Sequence, residues 1–498
     1  MKRAERAGRR QGAALAATLA MAGGLALTGC TSTNPATGQQ TFTAFMSPAE
    51  ELKVGREEHP KILEQFGGDY RHGNLAGYVD GIGERLKANS ELPDLDFTFT
   101  VLDSEVVNAF ALPGGYVYVS RGLLALANSE AELAGVMAHE IGHVTGRHSA
   151  QRYSSAVAAN LGTTGLAILG SIFLGGNAGQ AIAQAGQSVS AVYLQSYSRE
   201  HEFEADTLGV RYLARTGYDT GAMAGFLSSL EAYSALEAKV SGMPDPAERY
   251  NIMSTHPRTA DRVVAATRAA NGGATADAHT GRDEYLRAID GIIFGDAPEQ
   301  GFVRGQVFAH KTLGFRFEVP DGFTLFNSAG AVVARHPDGA LIAFAGGKSD
   351  WRGPLVDLVR SQGLSNAEAL TINGFEAATG SARLTRSGAP VDGRLVVIRF
   401  APDTLYRFIF LTPPAQTANL NTPLRRTTFS FRALTPNERD ALQPWRIRVY
   451  QVRPGDTASG LAARLPMPGP KEEWFRVLNG LGPQEGLRAG QLVKLVGE

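Results

Sequence analysis

The chain has 498 residues, a formal net charge of -1, 43% hydrophobic and 19% charged residues, and one cysteine. That length carries roughly three domains, and the balanced charge excludes a general nucleic-acid binder, which needs a basic excess to neutralise phosphates. A single thiol excludes an intramolecular disulfide scaffold and any zinc site built from cysteines, so the chemistry falls to His, Asp, Glu, Ser, Lys or Arg.

Lys2, Arg3, Arg6, Arg9 and Arg10 precede an apolar, Ala-rich run from Ala13 to Leu27, which predicts a secretory signal peptide over residues 1–29, too short to cross a membrane comfortably. The run ends in Leu27-Thr28-Gly29-Cys30, which resembles the bacterial lipobox. That resemblance implies cleavage before Cys30, lipid attachment to its thiol and a place on the periplasmic side of the envelope; Thr31 in place of Asp implies the outer membrane. Removing the basic leader leaves an acidic chain with no basic footprint for anionic lipid.

A polar tether is expected over 30–45. Ser47-Pro48-Ala49-Glu50 has the form of a capping box with Pro at the first helical position, so a helix starts there. A second helix is predicted over Leu75–Ala88 and a strand over Phe97–Leu102. Asn108–Val119 reads as two short β-type runs broken by Pro113-Gly114-Gly115, and Ser129 with Glu132 forms a further capping box that opens the next helix. From Tyr153 to Ser198 no residue is charged and none is histidine. This stretch reads as one or two small-residue helices packed in the domain, with a flap or membrane-facing helix as the alternative.

A linker is expected over 269–300, where Asn271-Gly272-Gly273 marks the shift in composition. Residues 301–435 read as strands, among them Phe315–Val319 and Leu395–Phe400, with one helix near Leu355–Gln362. Residues 446–496 form a last unit in the order strand, Pro454-Gly455-Asp456 turn, helix, helix ending at Asn479-Gly480, strand. The chain is therefore predicted to be multidomain α+β: a mainly helical domain over 46–268 with a small edge sheet, a β-rich α/β middle domain of open role, and a βααβ module.

The helix opened by Ser129 holds His139-Glu140-Ile141-Gly142-His143. Spacing of i, i+4 stacks both imidazoles on one face, where they can share a zinc ion, and Glu140 beside the first can reach a water on that metal. His148 falls one residue short of a metzincin third ligand; if the helix continues, it lies about 140° around from His143 and points away. In Ser198-Arg199-Glu200-His201-Glu202-Phe203-Glu204-Ala205-Asp206 three glutamates compete, and only Glu202 has Asp206 one turn ahead on its own face. Glu202 is then the third metal ligand and Asp206 the acceptor for a ligating histidine's outer N–H, whereas Glu200, His201 and Glu204 read as solvated or salt-bridged.

Together, HEIGH and the string Arg199-x-x-Glu202-x-x-Ala205-Asp206 resemble the HtpX and CAAX-prenyl-protease family of zinc metallopeptidases, metallopeptidase family forty-eight, one of the gluzincins. Asn108–Gly122 resembles that family's NAFALPGG strand, and Ser254-Thr255-His256-Pro257 with Arg262 resembles its S-T-H-P-x-x-x-x-R string; the matches cover about residues 45–265, and the diluted 153–198 stretch is similar to the lipoprotein branch. The resemblance implies a zincin-type domain that hydrolyses peptide bonds with one Zn²⁺ per chain on His139, His143 and Glu202. It implies Glu140 as general base and His256 either at the oxyanion or plugging the metal at rest, with a solvated helix-capping histidine as the alternative. Phe110–Val119 is a candidate edge strand for the substrate backbone, with a plain core strand as the alternative, and Asn108, Ala109 and Arg262 have a substrate or a structural role. The module over 446–496 resembles LysM, which implies peptidoglycan binding, with Ala458-Ser459 departing from the pattern. The favoured function is an endopeptidase acting on misfolded or assembly-stalled envelope proteins. The alternatives are a chaperone or assembly scaffold with its metal site shut, and a peptidoglycan-associated peptidase.

Overall fold

The computed structural model describes residues 31–157, 196–241, 256, 262, 268, 277–327, 331–386 and 388–498. The expected signal peptide, Cys30, residues 158–195 of the charge-free stretch and residues 269–276 of the expected linker lie outside them. The chain divides into two compact units, Met1–Glu231 with Ala247–Ala288, and Ala232–Pro246 with Ile289–Glu498.

In the first unit the residues expected as a polar tether are a docked hairpin. Strands β1 (Thr31–Thr33) and β2 (Gln40–Phe42) pair antiparallel. Asn34 is 1% exposed because its side chain works in two directions: Oδ1 accepts from Ala36 N at 2.8 Å to close the turn, and Nδ2 donates to Glu204 at 2.7 Å. Helix α1 (Pro48–Gln65) starts with the expected capping box, Ser47 Oγ accepting from Glu50 N and Glu50 accepting from Ser47 N. A Cβ at Gly55 would lie 2.3 Å from Pro113 O, so glycine is what lets α1 close onto the Pro-Gly-Gly turn. Helix α2 (Leu75–Ala88) buries Leu75, Val79, Ile82 and Leu86, one stripe at helical spacing.

Strands β3 (Thr98–Leu102), β4 (Ala109–Leu112) and β5 (Tyr116–Ser120) form a sheet in the order β3-β5-β4, with β3 and β5 parallel and β4 antiparallel to β5. Of the expected edge strand Phe110–Val119, the first part falls on β4 at the edge, while the second falls on β5 at the centre. After α3 (Arg121–Leu126) comes α4 (Glu130–Thr145), capped by Ser129 Oγ on Glu132 N. The Glu132 carboxylate accepts from Asn128 N at 2.8 Å instead of closing a box on Ser129. Leu133, Ala134, Met137, Ala138 and Ile141 are all buried, so α4 is apolar nearly all round and runs through the core. A Cβ on Gly142 would lie 3.1 Å from Ala205 O, so two small residues let α4 and α5 (Arg199–Thr216) approach closely. That approach sets Glu202 and Asp206 against the two histidines. Helix α6 (Ala222–Ser241) covers the same region with Met223, Phe226 and Leu230. Within the expected linker, α7 (Arg282–Ile289) buries Tyr285, whose hydroxyl donates to Leu124 O at 2.6 Å.

The second unit holds a four-stranded and a seven-stranded sheet, both antiparallel, with helices Leu355–Ser361 and Pro414–Ser430. Their shared core is aromatic: Phe315, Phe317, Phe344, Tyr406, Phe408 and Phe431 are all buried. Strand Trp445–Gln451 pairs antiparallel with Leu492–Gly497, and helices Ala458–Ala462 and Lys471–Asn479 lie between them in sequence. The buried Asn479 amide ties helix to strand through Lys494 N at 2.6 Å and Lys494 O at 3.0 Å. Ile293–Phe294, from the expected linker, adds a third strand to that pair. The architecture is multidomain α+β. Among the described residues no helix is long and apolar enough to cross a membrane.

Candidate metal centre

His139 and His143, one turn apart on α4, bring their Nε2 atoms to 3.0 Å of each other. From α5, Glu202 sets Oε2 3.6 Å from His139 Nε2 and Oε1 3.6 Å from His143 Nε2. His256 brings Nδ1 to 3.3 Å from His139 Nε2 and 2.9 Å from Glu202 Oε1. The four donor atoms lie within 4.8 Å of one another and all four residues are buried. Donors held about 2.0–2.2 Å from a tetrahedral centre stand about 3.3–3.6 Å apart, so three imidazole nitrogens and one carboxylate fit a single cation of the zinc type.

The protons agree with that fit. His139 Nδ1 lies 3.0 Å from Asp206 Oδ1, which keeps the ring proton on Nδ1 and the lone pair on Nε2. Burial, followed by the neighbouring His139 and His148 rings, pushes His143 well below the usual histidine range, so it is the neutral imidazole a metal takes. For Glu202 burial works against ionisation, but His256, His139 and Arg262 outweigh it and hold its pKa down. Asp206 is likewise opposed by burial and held well below the carboxylate range by Arg262 and His139. Arg262 donates to both Asp206 oxygens, at 2.7 and 2.8 Å, and its Nη1 lies 2.6 Å from Glu202 Oε2. The two roles left open for Arg262 resolve, in geometry, as an ion-pair partner to both acids.

Glu140 is fully buried beside the cluster, and neither carboxylate oxygen has a hydrogen-bond partner among the described residues; Oε1 lies 3.5 Å from His256 Nε2. Burial pushes its pKa up, with His256 and His139 pulling the other way. A cavity of about 30 Å³ beside it, lined by Met223, Phe226, Leu230 and His256, has room for about one water. His256 is 5% exposed, so it is not a solvated capping residue; burial depresses its pKa, but Glu202 and Glu140 overcome that and raise it. Asn108 is 2% exposed, and neither atom of its amide has a hydrogen-bond partner among the described residues, while Ala109 opens the edge strand β4. A second cavity of about 160 Å³ runs between β4 and the histidine helix, lined by Leu52, Leu92, Leu95, Leu112 and His143.

Two residues join the site that spacing did not point to. Tyr197 stacks on His143, ring centroids 3.9 Å apart, at the end of the charge-free stretch where no pattern marks it. His148 does not point away, because α4 stops at Thr145: Arg147 takes φ +54° and the chain turns His148 back, its Nδ1 2.9 Å from His143 Nδ1. That left-handed Arg147 is held by Glu51, Ser32 and the carbonyl of Met46, at 2.9, 2.6 and 2.9 Å.

The segment that builds this centre matches a known family: residues 74–270 fit the profile of peptidase family M48. The match covers the helices and loops that bring the four clustered residues together. A putative beta-barrel assembly-enhancing protease of Vibrio cholerae is 37% identical over 193 residues, covering 38% of this chain and 38% of that protein. The beta-barrel assembly-enhancing protease of Escherichia coli K12 is 32% identical over 219 residues, 43% of this chain and 42% of its own. The mitochondrial metalloendopeptidase OMA1 of Schizosaccharomyces pombe is 26% identical over 219 residues, 43% of this chain and 59% of its own. The chain thus spans about two fifths of the length of the bacterial relatives. His139, His143, Glu202 and His256 all lie inside the matched segment.

Proposed function

We propose that this protein is a zinc-dependent endopeptidase that hydrolyses peptide bonds of misfolded or assembly-stalled envelope proteins. The observation that carries the reading is the buried His139, His143, Glu202 and His256 set, with Glu140 beside it making no hydrogen bond among the described residues. A zinc ion bound there supplies Lewis acidity, bringing the pKa of a water toward about 7 and polarising the scissile carbonyl. His139, His143 and Glu202 are the residues that hold it, with Asp206 and Arg262 fixing their orientation. Glu140 takes a proton from the attacking water at a carboxylate oxygen and delivers it to the departing amine. Its burial-raised pKa suits a group that must both accept and release that proton.

The substrate backbone adds to the β4 edge, beside the Asn108 amide, which has no hydrogen-bond partner among the described residues, and close to Ala109, giving extended binding with weak sequence preference. His256 closes the site in the arrangement described here; withdrawn from Glu202, its ring is within reach of the oxyanion. That closure favours a second reading, a chaperone or assembly scaffold whose metal site is shut. The names of the bacterial relatives support envelope proteins as substrates, and the sequence signature supports a periplasmic enzyme anchored in the outer membrane through lipidated Cys30. The strand-helix-helix-strand order of residues 446–496 supports a LysM-like module that contacts peptidoglycan.

The test is to incubate metal-loaded protein with an unfolded outer-membrane β-barrel protein and, separately, with purified peptidoglycan. Fragments of the unfolded protein, with no peptides released from peptidoglycan, are expected. Release from peptidoglycan alone would favour the peptidoglycan peptidase, and binding of unfolded protein without cleavage the scaffold.

A further inference from the structure

His143 presents Nε2 to the metal cluster and Nδ1 to His148, whose Nδ1 lies 2.9 Å away. Two imidazole nitrogens at that distance need one proton between them, and two arrangements supply it. If His148 donates, the single proton of neutral His143 sits on Nε2, facing His139 and Glu202, and no lone pair is left for a cation. If His143 donates, its Nε2 lone pair is free, and the proton of His148 sits on its own Nε2. With both rings neutral, the second arrangement is favoured from outside the pair, because His148 Nε2, which makes no hydrogen bond among the described residues, lies 3.4 Å from Glu204 Oε1. A ring N–H there faces a carboxylate favourably, and a lone pair there faces it unfavourably. Glu204 is itself held by Asn34 Nδ2 at 2.7 Å.

We propose that Glu204, acting through His148, sets the tautomer of His143 and holds its Nε2 lone pair ready for the metal. His148 and Glu204 are positioning residues, and the relay parallels the direct contact of Asp206 with His139 at the other histidine. Two features of the chain exist to make it: the left-handed Arg147 that turns the backbone, and Gly146, where a Cβ would lie 2.5 Å from the His148 ring. The docked hairpin β1–β2 supplies Asn34 at its far end, so the segment beyond Cys30 reaches the metal cluster through three side chains. The inference rests on the reading of the cluster as a zinc site.

The test measures zinc affinity by competition with a chelator, on the full chain, for wild type, His148→Leu, His148→Asn and Glu204→Leu. Unfolding midpoints of the metal-free forms are measured alongside. His148→Leu should weaken zinc binding about 10- to 100-fold, the usual cost of losing an outer partner of a ligating histidine. His148→Asn, whose amide oxygen can accept from His143 Nδ1, should recover most of that loss, and Glu204→Leu should weaken binding in the same direction. Leu variants that bind zinc as tightly as wild type overturn the proposal. So does an Asn variant as weak as the Leu one with the same metal-free midpoint. A wild type that binds no zinc overturns the zinc reading and the relay together.

Discussion

Glu140→Gln is expected to abolish peptide cleavage while leaving one zinc ion per chain in place. The carboxylate is fully buried with no hydrogen-bond partner among the described residues, so its replacement by an amide breaks no hydrogen bond there. Gln has the same shape and cannot take a proton from water, which removes a contribution of roughly 10²- to 10⁴-fold to kcat. The ligand atoms are untouched, so the metal stays. Metal content by atomic absorption, beside cleavage of a quenched fluorescent peptide, reads both halves. A clean variant that keeps zinc and cuts at the wild-type rate removes Glu140 from the chemistry.

Arg262→Leu has the largest expected effect on stability. Its guanidinium, 3% exposed, neutralises two buried acids at once, with two hydrogen bonds to Asp206 and a 2.6 Å contact to Glu202. Leucine fills much of the volume but leaves Asp206 facing only His139, and removing one partner of a buried ion pair costs about 3–5 kcal/mol. Urea unfolding of the metal-free variant should show that loss in the midpoint with an unchanged slope. A change below about 1 kcal/mol, the scale of exposed pairs, would mean that solvent already screens the two acids.

The parts of the site that lie within one helical turn of each other were legible in the sequence. His139 with His143, and Glu202 with Asp206, each follow from i, i+4 spacing, and the cap at Ser129 marks where the histidine helix begins. Close packing of α4 on α5 was not readable as such, although Gly142 and Ala205 are its physical cause. His148 was out of reach because its direction depends on Arg147 leaving the helical region, and the groups that hold Arg147 there lie about a hundred residues away. Glu204 read as solvated or salt-bridged, and which partners it takes was out of reach for the same reason: Asn34 and His148 are distant in sequence. The tether became a hairpin because Asn34 spends its side chain on a turn and on a remote carboxylate, a pairing that polar composition does not distinguish from a solvated linker. His256 stayed open between roles because 117 positions separate it from His139.

The central claim is that peptide hydrolysis takes place at one metal ion held by His139, His143 and Glu202. Zinc titrated into chelator-stripped protein, with cleavage of an unfolded envelope protein followed at each point, tests it most directly. Activity should rise from zero, saturate at one equivalent per chain, and be absent at every zinc concentration in His143→Ala. Cleavage that persists in the stripped protein, or survives in His143→Ala, would contradict the account.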